Sequence, residues 1–189
     1  MQAVFSAGRR ARLTGGALAP KLPPMAAPRM LADIDWPRWS GVVCTLVFVV
    51  RSGEVLLMRK KRGLGAGKIN GPGGKVDPGE SPLAGAIRET REEVCVVPRS
   101  LVWAGRNRFH FADGYATDVH VFRANDCEGT PAPTPEADPF WVPIEKIPYL
   151  EMWEDDALWL PHLFAGRRFS GRFLFDGDRM LDWAIELLD

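Results

Sequence analysis

The chain predicts an α/β layered fold built on a mixed β-sheet, and three observations carry that reading. Residues 42–50, VVCTLVFVV, form an unbroken β-branched run of the kind found in a strand buried on both faces in the middle of a sheet. A helix with strong start signals follows at residues 81–94, and a second helical pattern lies near the end at 153–164. Between and after them, shorter alternating segments read as strands, and such mixing argues for helices layered on a sheet. With 189 residues, 46% of them hydrophobic and 25% charged, the composition suits one globular domain.

Ser52-Gly53 turns the first strand into a second at 55–58, giving a hairpin. The glycine-rich stretch KKRGLGAGKINGPGGK comes next; Ile69 follows Lys68 where a nucleotide P-loop needs Ser or Thr, so that motif is excluded. Ser81-Pro82 opens the central helix, the serine as a cap and the proline in the first turn. After it, residues 100–105 and 106–111 read as two strands, and Asp113-Gly114 as the turn into a strand at 117–123, where Val119 and Val121 alternate with Asp118, His120 and Phe122. Residues 130–138 are a Pro-rich loop, 140–142 a strand, and 144–147 a short helical turn ended by Pro148. Segments 172–175 and 180–188 flank the hairpin signal Asp176-Gly177-Asp178, and the second could equally be a helix.

On the central helix, Leu83, Ala86, Ile87, Thr90 and Val94 make an apolar stripe, with Glu89, Glu92 and Glu93 along the edge beside it. Like charges at this spacing each cost about 0.2 to 0.5 kcal/mol, a cost that Arg88 and Arg91 partly offset. Such a cluster is either a solvated charged face or a site for a hard cation; with Glu80 on the turn before the helix, the second reading fits Mg²⁺ or Mn²⁺, which take oxygen ligands.

The spacing Gly74, Glu80, Arg88-Glu89, Glu92-Glu93 resembles the Nudix box of nucleoside-diphosphate-linked hydrolases, with Thr90 in place of an aliphatic residue and Cys95 in place of a glycine. A glycine there would end the helix in the left-handed conformation, which Cys adopts at a cost of about 1 kcal/mol. Outside the box, KKRGLGAGKINGPGGKV, TDVHVF, EGTP, IPYLEMWEDDALWLP and FSGRFLF resemble the MutT-homologue branch that hydrolyses oxidised purine nucleoside triphosphates. The resemblance implies a Nudix α/β/α sandwich and release of monophosphate and pyrophosphate. It implies Mg²⁺, with Mn²⁺ as substitute, held by Glu89, Glu92, Glu93, Glu136 and the Gly73 carbonyl, while Arg88 orients the glutamates and Lys60 the substrate loop. For the base it implies a pocket of Thr45, Asn70, Phe109, Phe111, Trp153, Asp155, Asp156 and Trp159. If both aspartates are buried beside one base, repulsion keeps one protonated, and that one donates where the ionised one accepts. Leu64, Ile69 and Thr117 depart from the family pocket, which reduces its stacking surface. Alternatives are another nucleoside-diphosphate-linked substrate, such as a dinucleoside polyphosphate or nucleotide sugar, and a non-catalytic nucleotide binder.

Residues 1–32 hold Arg9, Arg10, Arg12, Lys21 and Arg29 and no acid, leaving 19 basic against 24 acidic residues in the rest. An acidic body disfavours a nucleic-acid polymer as partner. Rich in Ala, Gly, Pro and Arg and without a sustained hydrophobic period, the start of the chain at 1–39 is expected to be a disordered extension, either a tail preceding a later start at Met25 or Met30 or an organellar presequence, ahead of a domain at 40–189. Cys44, Cys95 and Cys127 have no pairing pattern and suggest reduced thiols. No apolar run reaches the roughly 18 residues of a membrane span. The expectation is a cytoplasmic monomer acting on a small nucleotide, with a mitochondrial or other organellar location as the alternative. The three histidines lack the spacing of a triad with a nucleophile.

Overall fold

The computed structural model describes residues 27–189; the expectations for residues 1–26 lie outside the described residues. Strand β1 (Val42–Arg51) runs parallel to β6 (Ala116–Ala124), which pairs antiparallel with β5 (Val102–Phe111). Beyond β5 lie β9 (Arg168–Asp176), parallel to it, and the edge strand β10 (Arg179–Leu188). On the other side of β1, β2 (Glu54–Lys60) pairs with the two-residue β3 (Ile69–Asn70) and with β8 (Ala137–Pro143). Strands β4 (Val97–Arg99) and β7 (Asp126–Glu128) make a separate ladder. The sheet is mixed, as expected.

Helix α1 (Pro82–Val94) covers one face, where Ala86 and Val94 pack with Val47, Val49, Leu56 and Phe122. Helix α2 (Asp156–Phe164) covers the other, where Trp159, Leu160 and Leu163 pack with Phe48, Phe169 and Phe173. This is an α/β/α sandwich.

The β1–β2 hairpin turns through Ser52 and Gly53, both at positive φ (52° and 80°), the two-residue turn whose twist matches the strands. Its strands pair only at their turn end, so β1 and β2 diverge. The segment after β3 enters the gap: Thr45 and Val47 donate N–H bonds to the carbonyls of Gly74 and Pro72, both at 2.8 Å. A Cβ at Gly73 would lie 2.0 Å from the Thr45 carbonyl oxygen, so only glycine lets the backbones approach this closely.

Several expectations need correction. The two strands expected at 100–111 are one, because Gly105 marks a bulge where Phe169 lies against the missing side chain, and does not end the strand. In α1, Leu83 is exposed and Glu93 is buried, so the buried side is turned toward the carboxylates relative to the predicted stripe. Trp153 precedes α2, since the Asp156 carboxylate accepts the Trp153 N–H at 3.0 Å in the turn before the helix. Residues 42 and 43 of β1 are exposed and not buried on both faces. The part of the expected extension that is described, 27–39, packs on the domain: the Leu31 N–H bonds Asp182 at 2.8 Å, and the Trp36 ring lies 5.6 Å from the Arg172 guanidinium. Cys95 does end α1 in the left-handed region, at φ 62° and ψ 22°.

Candidate active site

Ser81 caps α1 by accepting the Ala84 N–H at 3.2 Å, which fixes the helix start and with it the carboxylates one to three turns on. Arg88 gathers them. Its guanidinium donates to both oxygens of Glu80 (3.1 and 2.8 Å), to Glu89 (2.8 Å), to Glu92 (3.2 Å) and to the Lys75 carbonyl (2.9 Å). The hydrogen bonds from Arg88 hold Glu80 below the usual carboxylate range.

Glu93 is placed differently from what its helix edge suggested. At 2% exposure it faces inward, accepting from Lys60 Nζ at 3.0 Å and from the Gly73 N–H at 2.8 Å. Lys60, expected to orient the substrate loop, thus ties β2 to the helix. Burial raises the Glu93 pKa against the pull of Lys60 and Gly73, and Glu89 raises it further. For Glu89, burial is again the main cause, opposed by Arg88 and reinforced by Glu92 and Glu136. Glu136 is brought in by its loop: Thr134 Oγ1 donates to the Glu93 carbonyl at 2.9 Å and accepts the Glu136 N–H at 3.1 Å, while the Glu136 carboxylate pairs with Arg62.

The four carboxylates therefore repel one another across a small space. Gly74 adds a cradle: a Cβ there would sit 2.3 Å from Glu89 Oε2, so the carboxylate occupies the room a side chain would need. Anionic oxygens, mutual repulsion and hard ligands fit a divalent cation. Among the described residues no three such side chains converge on one point, because Arg88, Lys60 and Arg62 share the oxygens. Cation binding here requires exchange of those partners.

Beside the carboxylates, a cavity of about 580 Å³ opens between β1, β5, β6 and the start of α2. Every residue expected to bind substrate lines it: Thr45, Lys60, Asn70, Phe109, Phe111, Trp153, Asp155, Asp156 and Trp159, with Gly73 and Glu136 at the end toward the carboxylates. Trp159 is fully buried and packs edge-on to Phe48, so it is a core side chain, not an open stacking face. Its Nε1 donates to Asp155 Oδ2 at 2.8 Å. Asn70 turns its carbonyl oxygen to the Gly71 N–H at 2.8 Å.

Asp155 and Asp156 are each 2% exposed. Burial pushes the Asp155 carboxyl up to about 7 against the Trp159 hydrogen bond, and burial plus the charge of Asp155 raises Asp156. Asp155 Oδ1 and Thr45 Oγ1 are buried without a partner among the described residues, leaving hydrogen-bonding capacity inside the site.

Sequence reasoning missed Lys68, Tyr115, Phe175 and Cys44 in the wall. Lys68 Nζ lies 4.9 Å from the Trp153 ring centroid and 3.1 Å from Asp178, joining the glycine-rich loop to the β9–β10 turn. A conspicuous cation in a glycine-rich loop was the available signal; the partners of Phe175 and Tyr115 were too distant in sequence to give one. Burial pushes the Cys44 thiol up to about 11, which keeps it protonated and unreactive. Of the departures from the family pocket, Leu64 and Thr117 line the cavity, whereas Ile69 is a core residue.

A model of the NUDIX domain matches residues 41–163. The oxidized purine nucleoside triphosphate hydrolase of Danio rerio is 48% identical over 140 residues, covering 74% of this chain and 90% of that protein. The protein of the same name from Mus musculus is 40% identical over 147 residues, covering 77% and 94%. The crystal structure of the mutator MutT protein from Bacillus halodurans aligns with a TM-score of 0.70 at 26% identity, covering 77% of this chain and 97% of that one. Among the described residues no helix is long and apolar enough to cross a membrane.

Proposed function

Because the chain belongs to the NUDIX family, we propose that it is a metal-dependent pyrophosphohydrolase that cleaves oxidised purine nucleoside triphosphates, such as 8-oxo-dGTP and 2-hydroxy-dATP, to the monophosphate and pyrophosphate. The relatives named for that activity cover most of the domain. One structural observation carries the substrate class: two buried, adjacent aspartates sit in an aromatic cavity that opens onto the carboxylate helix.

Nudix hydrolases work with divalent metal ions, and Mg²⁺, with Mn²⁺ as substitute, suits an all-oxygen set. Glu89, Glu92, Glu93 and Glu136 with the Gly73 carbonyl would hold it. The chemistry it supplies is neutralisation of the triphosphate charge and activation of water for in-line attack at phosphorus. Arg88 keeps Glu89 and Glu92 oriented and lowers their repulsion. Lys60, which pairs with Glu93 and lines the cavity, would add positive charge beside the phosphates. Trp153 offers a flat face to the purine, and stacking of this kind is worth roughly 1 to 3 kcal/mol. Asp155 and Asp156 share a proton, so that one carboxyl donates and the other accepts at the base edge that oxidation alters.

Steady-state kinetics with 8-oxo-dGTP, 2-hydroxy-dATP, O6-methyl-dGTP and dGTP test the assignment. The expected result is a higher kcat/KM for a modified purine than for dGTP; equal values across the panel, or turnover unaffected by chelation of divalent ions, would overturn it.

A further inference from the structure

The face of β5 and β9 turned away from the purine cavity carries an arrangement that hydrolysis does not use. Phe109 lines the cavity, so its neighbours Arg108 and His110, together with Arg106, project from the opposite side by strand alternation. In the parallel β5–β9 pair, Arg108 stands directly beside Arg172. Like charges in adjacent cross-strand positions are destabilising, so the pair needs a counter-charge.

The nearby acids supply it only in part. Asp118, which faces Arg108 in the β5–β6 register, is taken by Arg106, whose Nε donates at 2.6 Å and whose Nη2 bonds the second oxygen. Asp182 uses its two oxygens on the N–H groups of Leu31 and Trp183, both at 2.8 Å. Glu186, at the outer strand, makes no salt bridge among the described residues, and neither do Arg108 and Arg172. In the turn beside Trp36, Asp33 accepts the N–H groups of Arg29 and Met30 at 2.8 and 3.1 Å, and Asp35 pairs with Arg38 at 3.7 Å. The flanking His110 and His120 are pushed toward the neutral form by burial and add no anion.

Two features make the pair more than two solvated side chains. Arg108 Nε is buried with no acceptor among the described residues, a donor left to be satisfied. Arg172 is exposed, but its guanidinium lies 5.6 Å from the ring of Trp36, which tilts against Trp39 at 5.5 Å, so the turn at 31–39 lies along one side of it. Burial and the neighbouring charge of Arg106 also work against the Arg108 cation, Asp118 partly offsets them, and Arg172 adds to the repulsion, which a bound anion would relieve.

The geometry points to a second anion site, on the face of the sheet opposite the purine cavity, in which Arg108 and Arg172 take a phosphate-class oxyanion beside Trp36. Adjacent guanidinium forks match the oxygens of a phosphate, as free phosphate or as pyrophosphate, better than they match a monovalent halide. The site lies on the other side of β5 from the cavity and can be filled while substrate is bound.

Inorganic phosphate and, separately, pyrophosphate titrated into the full chain in EDTA test this, because chelation removes the cation that would draw either anion to the carboxylates. The readout is the ¹⁵N-resolved Nε–Hε resonance of Arg108 together with calorimetric affinity, at ionic strength matched with sodium chloride. Saturable binding that moves the Arg108 signal, weakens about tenfold or more in Arg172→Gln and in Arg108→Gln, and partly returns in Arg172→Lys is expected. Which anion saturates first identifies the source. Arg179→Gln, an exposed arginine at the start of β10, serves as the control and should bind as the parent does. Absence of saturation by either anion at millimolar concentration, or equal affinity in both glutamine variants and the parent, would overturn the proposal.

Discussion

Removing one acid from the buried aspartate pair changes how stability depends on pH, and the direction runs opposite to that of an ordinary salt-bridged carboxylate. Asp155 titrates near 3.8 when unfolded and about 7 in the fold, because burial disfavours its charged form. Between those values the native state holds a proton that the unfolded state has released. Stability is therefore fully present below about pH 4 and is lost as pH rises through about 7. The gap corresponds to at most about 4 kcal/mol, which for a chain of this size is a Tm change on the order of ten degrees. Asp155→Asn is nearly isosteric, keeps an oxygen for Trp159 Nε1 and has no charge to desolvate. Tm measured from pH 5 to pH 8.5 should fall with rising pH more steeply in the parent than in the variant. The variant's relative stability is highest at the alkaline end. Other titrating groups are common to both proteins, so the difference between the curves isolates the pair. Parallel curves would refute the reasoning, since they would mean that Asp155 is ionised throughout the range or that its burial is relieved by solvent.

Glu93→Gln should lower metal-dependent turnover by about 100-fold or more and lower Tm, because its single amide oxygen can serve the Gly73 N–H or Lys60 Nζ but not both; activity near the parent's with any oxidised purine triphosphate would show that the carboxylate does no chemistry. Cys95→Gly should raise stability by about 1 kcal/mol, measured by urea unfolding, since a left-handed helix end at φ 62° is free of Cβ strain only for glycine.

What the sequence disclosed and what it concealed divide along contact distance. The spacing of Glu89, Glu92 and Glu93 is local, and a helix of 3.6 residues per turn places them near one another whatever the rest of the chain does. Cys95 was likewise readable, because one residue in place of a glycine alters one dihedral angle. The inward turn of Glu93 could not be read this way. It depends on Gly73 and Lys60, which lie 20 and 33 residues away and reach it only because β1 and β2 diverge and the chain after β3 fills the gap. The same holds for Gly105, where a residue that usually signals a break instead makes room for Phe169 from another strand.

Residues 27–39 show how an average can mislead. Pooled composition at the start of the chain is rich in Ala, Gly, Pro and Arg without a sustained hydrophobic period, and that argues for disorder. Yet three residues hold this segment: Leu31 through its backbone on Asp182, Trp36 on Arg172, and Trp39 against Trp36. Each contact is made with β9 or β10, the last strands of the chain, or within the turn that they support. The segment is therefore held by the last strands of the chain, and its partners include the arginine whose repulsion with Arg108 is answered only in part among the described residues. A packing contact at the start of the chain and an unsatisfied charge near its end are thus one local problem, and the phosphate titration of Arg172→Gln and Arg172→Lys separates them: loss of packing on Trp36 lowers Tm with or without phosphate, whereas loss of an anion site removes only the stabilisation that phosphate adds.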